Sequence, residues 1–297
     1  MNDYQPDRQV RAVFQSRSLR AVMDRALVLR ATHIRHEVVQ LDDWYVLAVS
    51  GDDSIEAHEQ IRLYEAENRG WPPKLDLMPT LSGGLIGAMI YATLLIVVHL
   101  MNLDAAFGFE WQQAGRIDGR LMLNGEWWRS VTALTLHGDV GHLAGNVFFG
   151  AIFGVFTARL LGEGLAWSLI LAGGILGNIT NVLIQHPSHR AVGASTAVFA
   201  ALGVLTAYTW MHRRDSRFHL AYRAAPLVSG LVLLAYLGTG DARTDIVAHL
   251  TGFGWGMVGG MLAANWPRLT EYLQARQAML GLLAMATVCS AWLFRLY

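Results

Sequence analysis

From about residue 80 onward the chain is a series of apolar runs, near 82–102, 142–161, 165–185, 194–211, 224–240, 246–265 and 277–296. Each comes close to the roughly 20 residues that an α-helix needs to cross the hydrocarbon core of a bilayer. Backbone in lipid must satisfy its polar groups internally, so the seven runs predict a bundle of seven transmembrane helices. The fifth is the weakest by length, and the last carries Arg295 near its end, where a long basic side chain can snorkel to the interface. Composition agrees: 15% of residues are charged, against about 25% in an ordinary soluble domain. Lys+Arg and Asp+Glu are equal at 23 each, which leaves no electrostatic footprint for nucleic acid. Cys289 stands alone and reads as a small apolar residue. The first 22 residues contain no apolar core followed by a small-residue cleavage site, so no cleaved signal peptide is expected.

Residues 1–75 have a different texture. Leu19, Val22, Met23, Ala26 and Leu27 recur at helical spacing among arginines, predicting an amphipathic helix. The runs HEVVQL and WYVLAVS flank Asp42-Asp43 and read as two strands joined by a tight turn. Asp53, with Glu56 three residues later, is a capping-box signal for a second helix carrying Ala57, Ile61 and Tyr64 on one face. Gly70 and Pro72-Pro73 end that helix and form a short linker. The expectation is a small α/β domain, resembling the αββα cytoplasmic modules attached to some membrane proteins. It carries no catalytic constellation, and His33, His36 and His58 read as surface residues.

Basic residues in short loops orient the bundle. Arg69 and Lys74 precede the first span. Arg213, Arg214, Arg217 and Arg223 follow the fourth, and Arg268 and Arg276 follow the sixth. With alternating spans these loops share one side, so the N-terminal domain is expected in the cytoplasm. The loop 103–141 is acidic by comparison and is expected outside. The heads of spans two, four and six then face outward.

Those three heads carry the chemistry. Ser195 lies in Gly193-Ala194-Ser195-Thr196 at the start of the fourth run, and His249 lies inside the sixth. A serine hydroxyl is a poor nucleophile until a base takes its proton, and His249 is the only histidine within the later spans. An ionisable residue at membrane depth is a functional candidate by default. The plainer alternative is a neutral imidazole bonded to a neighbouring helix. Ala248, Gly252, Gly256 and Gly260 form a small-xxx-small stripe that lets a helix backbone approach closely, and small residues also surround Ser195. His142 and Asn146 are four apart and share a helix face, where an amide could serve an oxyanion, as could the Ser195 N–H. Asn146 by itself reads equally well as an interhelical hydrogen bond.

HxxxN at His142–Asn146, GxS at Gly193–Ser195 and AHxxG at Ala248–Gly252 together resemble the rhomboid family of intramembrane serine proteases. The resemblance covers about residues 80–265 and includes Trp128-Arg129 in the long first loop. It implies a six-helix catalytic core at 80–265, with 277–297 an additional C-terminal transmembrane helix. It implies that Ser195 is the nucleophile and His249 the general base of a dyad. His142, Asn146 and the Ser195 amide would form the oxyanion hole. Phe199 would stack on the catalytic imidazole, Gly193 and Gly252 would support the site, and His137 would play a structural part near its mouth. No cofactor or metal is implied. Substrates would be single-span or multi-span membrane proteins in a lipid bilayer, cut in or beside a transmembrane segment near the outer face of the cell membrane. Three positions depart from the family pattern: Thr196 where glycine is common, Ala133 where some members carry a histidine, and the seventh span itself.

The main alternative is a catalytically inactive rhomboid-like protein that binds membrane clients, although such proteins usually lack the serine or the histidine. A metal-dependent enzyme would use His137, Asp139, His142 and His249, yet no HExxH pair is present. A transporter predicts paired ionisable residues deep in several spans, and these spans have few; Asn178 and Asn181 read as interhelical hydrogen bonds. The sequence carries no signal for oligomeric state.

Overall fold

The structure is a computed structural model in which residues 10–69, 78, 80–214, 220–239 and 244–296 are described. Gly70, Pro72-Pro73, Lys74 and Arg217, named above, lie outside the described residues. The chain divides into two compact units, Met1–Leu77 and Met78–Tyr297.

The first unit runs β1 (Val10–Ser16), α1 (Leu19–Ala31), β2 (His36–Leu41), β3 (Trp44–Ser50) and α2 (Ser54–Glu67). Its sheet is antiparallel in the order β1-β3-β2. The strand β1 is an addition to the expected αββα pattern: its residues pair along β3, converting the latter from an edge strand into the central one. The hairpin turn holds Asp42 at φ 52°, a conformation that Asp tolerates better than most residues. Ser18 caps α1 through the Ala21 N–H. The buried side of α1 is Val22, Ala26 and Leu29, whereas Leu19, Met23 and Leu27 are exposed. The capping box expected at Asp53 is not made: the residue is in the αR region and its side chain bonds no helix N–H.

The second unit runs α3 (Leu85–Leu103), α4 (Trp111–Gly115), β4 (Ile117–Asp118), α5 (Gly119–Leu123), α6 (Arg129–Thr132), α7 (Val140–Leu161), α8 (Glu163–Ile184), β5 (Arg190–Ala191), α9 (Ser195–Arg213), α10 (Leu220–Gly238), α11 (Ile246–Asn265), α12 (Pro267–Gln274) and α13 (Gln277–Leu296). Six helices among the described residues, α3, α7, α8, α10, α11 and α13, are long and apolar enough to cross a membrane. The fourth expected span is the 19-residue helix α9, which is not among them. The physical reason is position. Residues Thr196–Val204 of α9 are all buried, so this helix meets other helices rather than lipid and needs less lipid-compatible surface.

Glycines set how closely the central helices approach. On α11, Gly252, Gly256 and Gly260 face the carbonyl oxygens of Thr196, Ala200 and Val204 on α9, and a Cβ on any of them would fall within 3 Å of that oxygen. The four-residue repeat matches helical periodicity on both partners, so the backbones touch along one seam. On the third side, Gly173 and Gly174 of α8 meet Ala200 and Ala197. The seam fixes the separation of whatever side chains flank it.

The seventh long helix, α13, packs on α8 and on the loop helices α4 and α6. Gln277 Oε1 accepts from the Leu165 N–H at 3.0 Å, and Trp292 Nε1 donates to Thr135 Oγ1 at 3.2 Å. Trp292 also packs against Trp111, with ring centroids 5.0 Å apart and planes inclined by 59°. The added helix therefore buttresses the long loop between α3 and α7.

Candidate active site

The loop 104–139 is built around Arg129, whose side chain is almost wholly buried. Its guanidinium pairs with Glu126 at 2.6 Å and donates to the carbonyls of Gln113 and Arg116 at 3.1 and 2.9 Å. A planar fork with five donors in fixed directions can hold these three acceptors at once, which ties residues 113–116 to residues 126–129. Asn178 of α8 donates to the Ser130 carbonyl at 2.9 Å, fastening the same loop to the bundle. β4 pairs with β5 through Ile117 and Ala191, which brings the loop against the strand that leads to Ser195.

That strand turns sharply at Gly193, where φ is +135°, a conformation that glycine adopts without strain. The Gly193 N–H donates to the Ala133 carbonyl at 3.0 Å. Space matters as much as conformation: a Cβ at Gly193 would lie 2.6 Å from His142 Cε1 and 3.7 Å from Asn146 Nδ2. Helix α9 then opens at Ser195. The methyl of Thr196, one of the departures noted above, fits because it packs against Gly177 and Gly252.

Ser195, His249, His142, Asn146 and Phe199 all line one cavity of about 1090 Å³. Gly193 and Gly252 stand behind its wall, against His142 and Thr196 respectively. The His249 ring lies on Phe199, with centroids 4.3 Å apart and planes inclined by 35°. His249 Nδ1 is 3.0 Å from the Gly238 carbonyl at the end of α10. A carbonyl oxygen only accepts, so Nδ1 carries the proton and Nε2 holds the lone pair in the neutral ring. Asn146 is buried and its Nδ2 has no hydrogen-bond partner. The interhelical bond that was the plainer reading of Asn146 is thus not formed by its amide nitrogen, and a buried amide donor left unpaired costs free energy.

Two histidines frame the entrance from α7 and the loop. The ring of His137 meets that of His142 edge to face at 5.1 Å, and the Ala194 N–H donates to His137 Nε2 at 3.4 Å. Burial, reinforced by the neighbouring His142 and His99, pushes the His137 imidazole down to about 3. It stays neutral in ordinary buffers and serves as an acceptor for the turn before Ser195. Asp139 caps α7 by accepting from the His142 N–H at 2.8 Å.

Sequence reasoning missed a polar knot at the head of α11. Asp245 caps that helix through the Ala248 N–H at 3.0 Å, and also accepts from His189 Nε2 at 2.8 Å and Asn181 Nδ2 at 2.7 Å. Burial would raise the Asp245 carboxyl. The bonds from His189, Ala248 and Asn181 outweigh it and hold the group below the ordinary carboxylate value. Asn181 therefore bonds across helices, as its position implied, but to a capping carboxylate one turn before His249. An Asp four residues ahead of the histidine was the available signal. The Gly238 carbonyl had none, since every residue has one.

Residues 124–266 match the model of the Rhomboid domain. The chain is 33% identical to the rhomboid protease GluP of Bacillus subtilis over 153 residues, covering 50% of this chain and 28% of that protein. It is 28% identical to the putative rhomboid protease YdcA of the same organism over 139 residues, 47% of this chain and 66% of that one. With the chloroplastic rhomboid-like protein 11 of Arabidopsis thaliana it shares 30% identity over 151 residues, 48% and 54% of the two chains. The matches span between about a quarter and two thirds of these relatives. With its several membrane-length helices, the chain is a multi-pass membrane protein that carries a Rhomboid domain over residues 124–266, and rhomboid proteins stand among its relatives.

Proposed function

We propose that this protein is an intramembrane serine endopeptidase in which Ser195 and His249 act as a dyad. The observation that carries the reading is the shared cavity: a helix-heading serine and an imidazole, stacked on Phe199 and bonded through Nδ1 to a carbonyl, line the same recess. Relatives named as rhomboid proteases support the same class.

In this reading Ser195 Oγ attacks the scissile carbonyl while its proton passes to His249 Nε2. The oxyanion is met by Asn146 Nδ2, His142 and the Ser195 N–H, donors held ready before charge develops. Collapse of the tetrahedral species expels the amine, which takes the proton from His249 and leaves an acyl ester on Ser195. Water then attacks the ester, His249 receives its proton, and a second collapse releases the carboxylic acid and restores the hydroxyl. The dyad contains no carboxylate, and the Gly238 carbonyl fills the orienting place by holding the tautomer. Helical substrate backbone is shielded by its own i→i−4 bonds, so a transmembrane segment must unwind locally, and small or helix-breaking residues near the cut favour it. The loop charges favour a cytoplasmic N-terminus with the cavity open to the outer side. The domain reading is an N-terminal module over 1–75, a catalytic core over 80–265 and an appended helix at 277–297.

The test is cleavage of single-span substrates by purified protein in liposomes beside Ser195→Ala and His249→Ala. Each substitution is expected to lower turnover by about 10³-fold or more, and Asn146→Ala by about 10²–10³. Near-normal turnover in Ser195→Ala removes the dyad. Failure of a fluorophosphonate to label Ser195, with no cleavage of any substrate, favours the client-binding alternative.

A further inference from the structure

The cavity that holds Ser195 and His249 contains more charge than a serine hydrolase needs, and nearly all of it is accounted for. Asp245 has three donors. Asp139 caps α7. His189 is bonded to Asp245, and Arg190 reaches Asp118 at 3.1 Å. Arg116 is the exception. It lines the same cavity, its Nε is shut off from solvent without a hydrogen-bond partner, and no carboxylate among the described residues pairs with it.

An unpaired, partly buried guanidinium is costly, and this one is held in place. The Arg116 N–H donates to the Gln112 carbonyl at 3.1 Å, and its own carbonyl accepts from Arg129 at 2.9 Å. The next residue, Ile117, pairs with Ala191, four positions before the serine. A backbone tied beside the strand that leads to Ser195 thus carries an unpaired guanidinium at the cavity wall, and the two terminal nitrogens of such a group match a carboxylate with two parallel bonds.

We propose that Arg116 is a specificity-determining residue that recognises the carboxylate of an Asp or Glu side chain in the substrate close to the scissile bond. The proposal rests on the protease reading above. Sequence gave no hint of it, because Arg116 is one of three arginines in the loop and only the fold separates it from Arg129, which is paired, and from Arg120, which is exposed.

The experiment uses the full-length protein in non-ionic maltoside micelles, which carry no phosphate. Single-span substrates differ only in bearing Asp, Asn or Lys at each position within about four residues of the cut, and kcat/KM is measured for each. The wild type is expected to prefer Asp over Asn by about tenfold at one or two positions, the scale of a charge-assisted hydrogen bond. In Arg116→Gln the ratio is expected to fall to about one while turnover of the Asn substrate stays within about threefold. In Arg116→Glu the preference is expected to move to Lys. A wild type blind to charge at every position, or an Asp preference equally strong in Arg116→Gln, overturns the proposal. Should Arg116→Gln not purify as a monodisperse protein, Arg116→Lys is read in its place, and an undiminished Asp preference there overturns the proposal equally. Inhibition of the wild type but not the variant by anionic phospholipid, without any Asp preference, assigns the guanidinium to lipid phosphate and also overturns it. Fluorophosphonate labelling of Ser195 separates the two levels: labelled and cleaving but charge-blind protein refutes only the role of Arg116, whereas unlabelled and inactive protein refutes the protease reading with it.

Discussion

Two walls of the cavity are made in opposite ways. The α9–α11 wall is a seam of backbone on backbone, with three glycines of α11 against three carbonyls of α9, and it carries both Ser195 and His249. The α10 wall is loose: Gly230, Leu234 and Gly238 are its buried residues, Val228, Leu231, Val232 and Tyr236 are exposed, and Pro226 interrupts its hydrogen bonding. The contrast teaches where the geometry of the proposed dyad is stored. Hydroxyl and imidazole stand on the two helices whose spacing leaves no slack, and the slack wall supplies one carbonyl to the imidazole.

The largest expected effect comes from breaking the seam. In Gly252→Leu the new Cβ meets the Thr196 carbonyl, a clash that no rotamer relieves, so the helices must separate. Overpacking of this kind costs about 3 kcal/mol, and a Tm fall of roughly 10 °C in detergent is expected. An unchanged Tm would refute the direct backbone contact.

A smaller effect is expected where the seam is tied to the loops. Asp245→Asn keeps a helix cap but gives up the charge that receives His189 and Asn181, at a cost of about 1–3 kcal/mol. The sign with pH follows from the carboxyl being held below its ordinary value. Its contribution is fully present above the unfolded carboxylate value, near 3.9, and is lost as pH falls through the lower folded value. Unfolding curves of wild type and variant should therefore converge on acidification below about pH 4. Curves that stay parallel through that window would deny Asp245 its depressed ionisation.

The smallest effect belongs to the slack wall. Val232→Ala, on a side chain that is 59% exposed, should change stability by less than about 0.5 kcal/mol and leave cleavage within about twofold. A large loss there would mean that α10 is held as firmly as the seam.

What could be read from the sequence divides along the same line. Periodic features were legible: the apolar runs, the four-residue stripe from Ala248 to Gly260, and the i, i+4 pair His142 and Asn146 all follow from helical geometry. Features produced by chain segments meeting were not. The strand β1 has no clean alternation of apolar residues, and it becomes a strand because β3 offers it an edge. The capping box at Asp53 was a local signal that the preceding turn overrode. Thr196 stood out only as a departure from the family pattern, and the room for its methyl comes from Gly177 and Gly252 on two other helices. Asp245 stood in view four residues before His249, but its link to His189 depends on a loop 56 residues away.

The orienting bond to His249 comes from the main chain of Gly238, and this has a practical corollary for anyone mapping the protein by substitution. A methyl added at Gly238 would make only ordinary contacts, 3.4 Å from Phe199 Cζ and 3.7 Å from His249 Nδ1, and it would leave the carbonyl oxygen in position. A systematic alanine survey would score the position as dispensable while the oxygen kept its bond to the imidazole, and only an ester or thioamide placed in the backbone would expose any dependence of the proposed dyad on it.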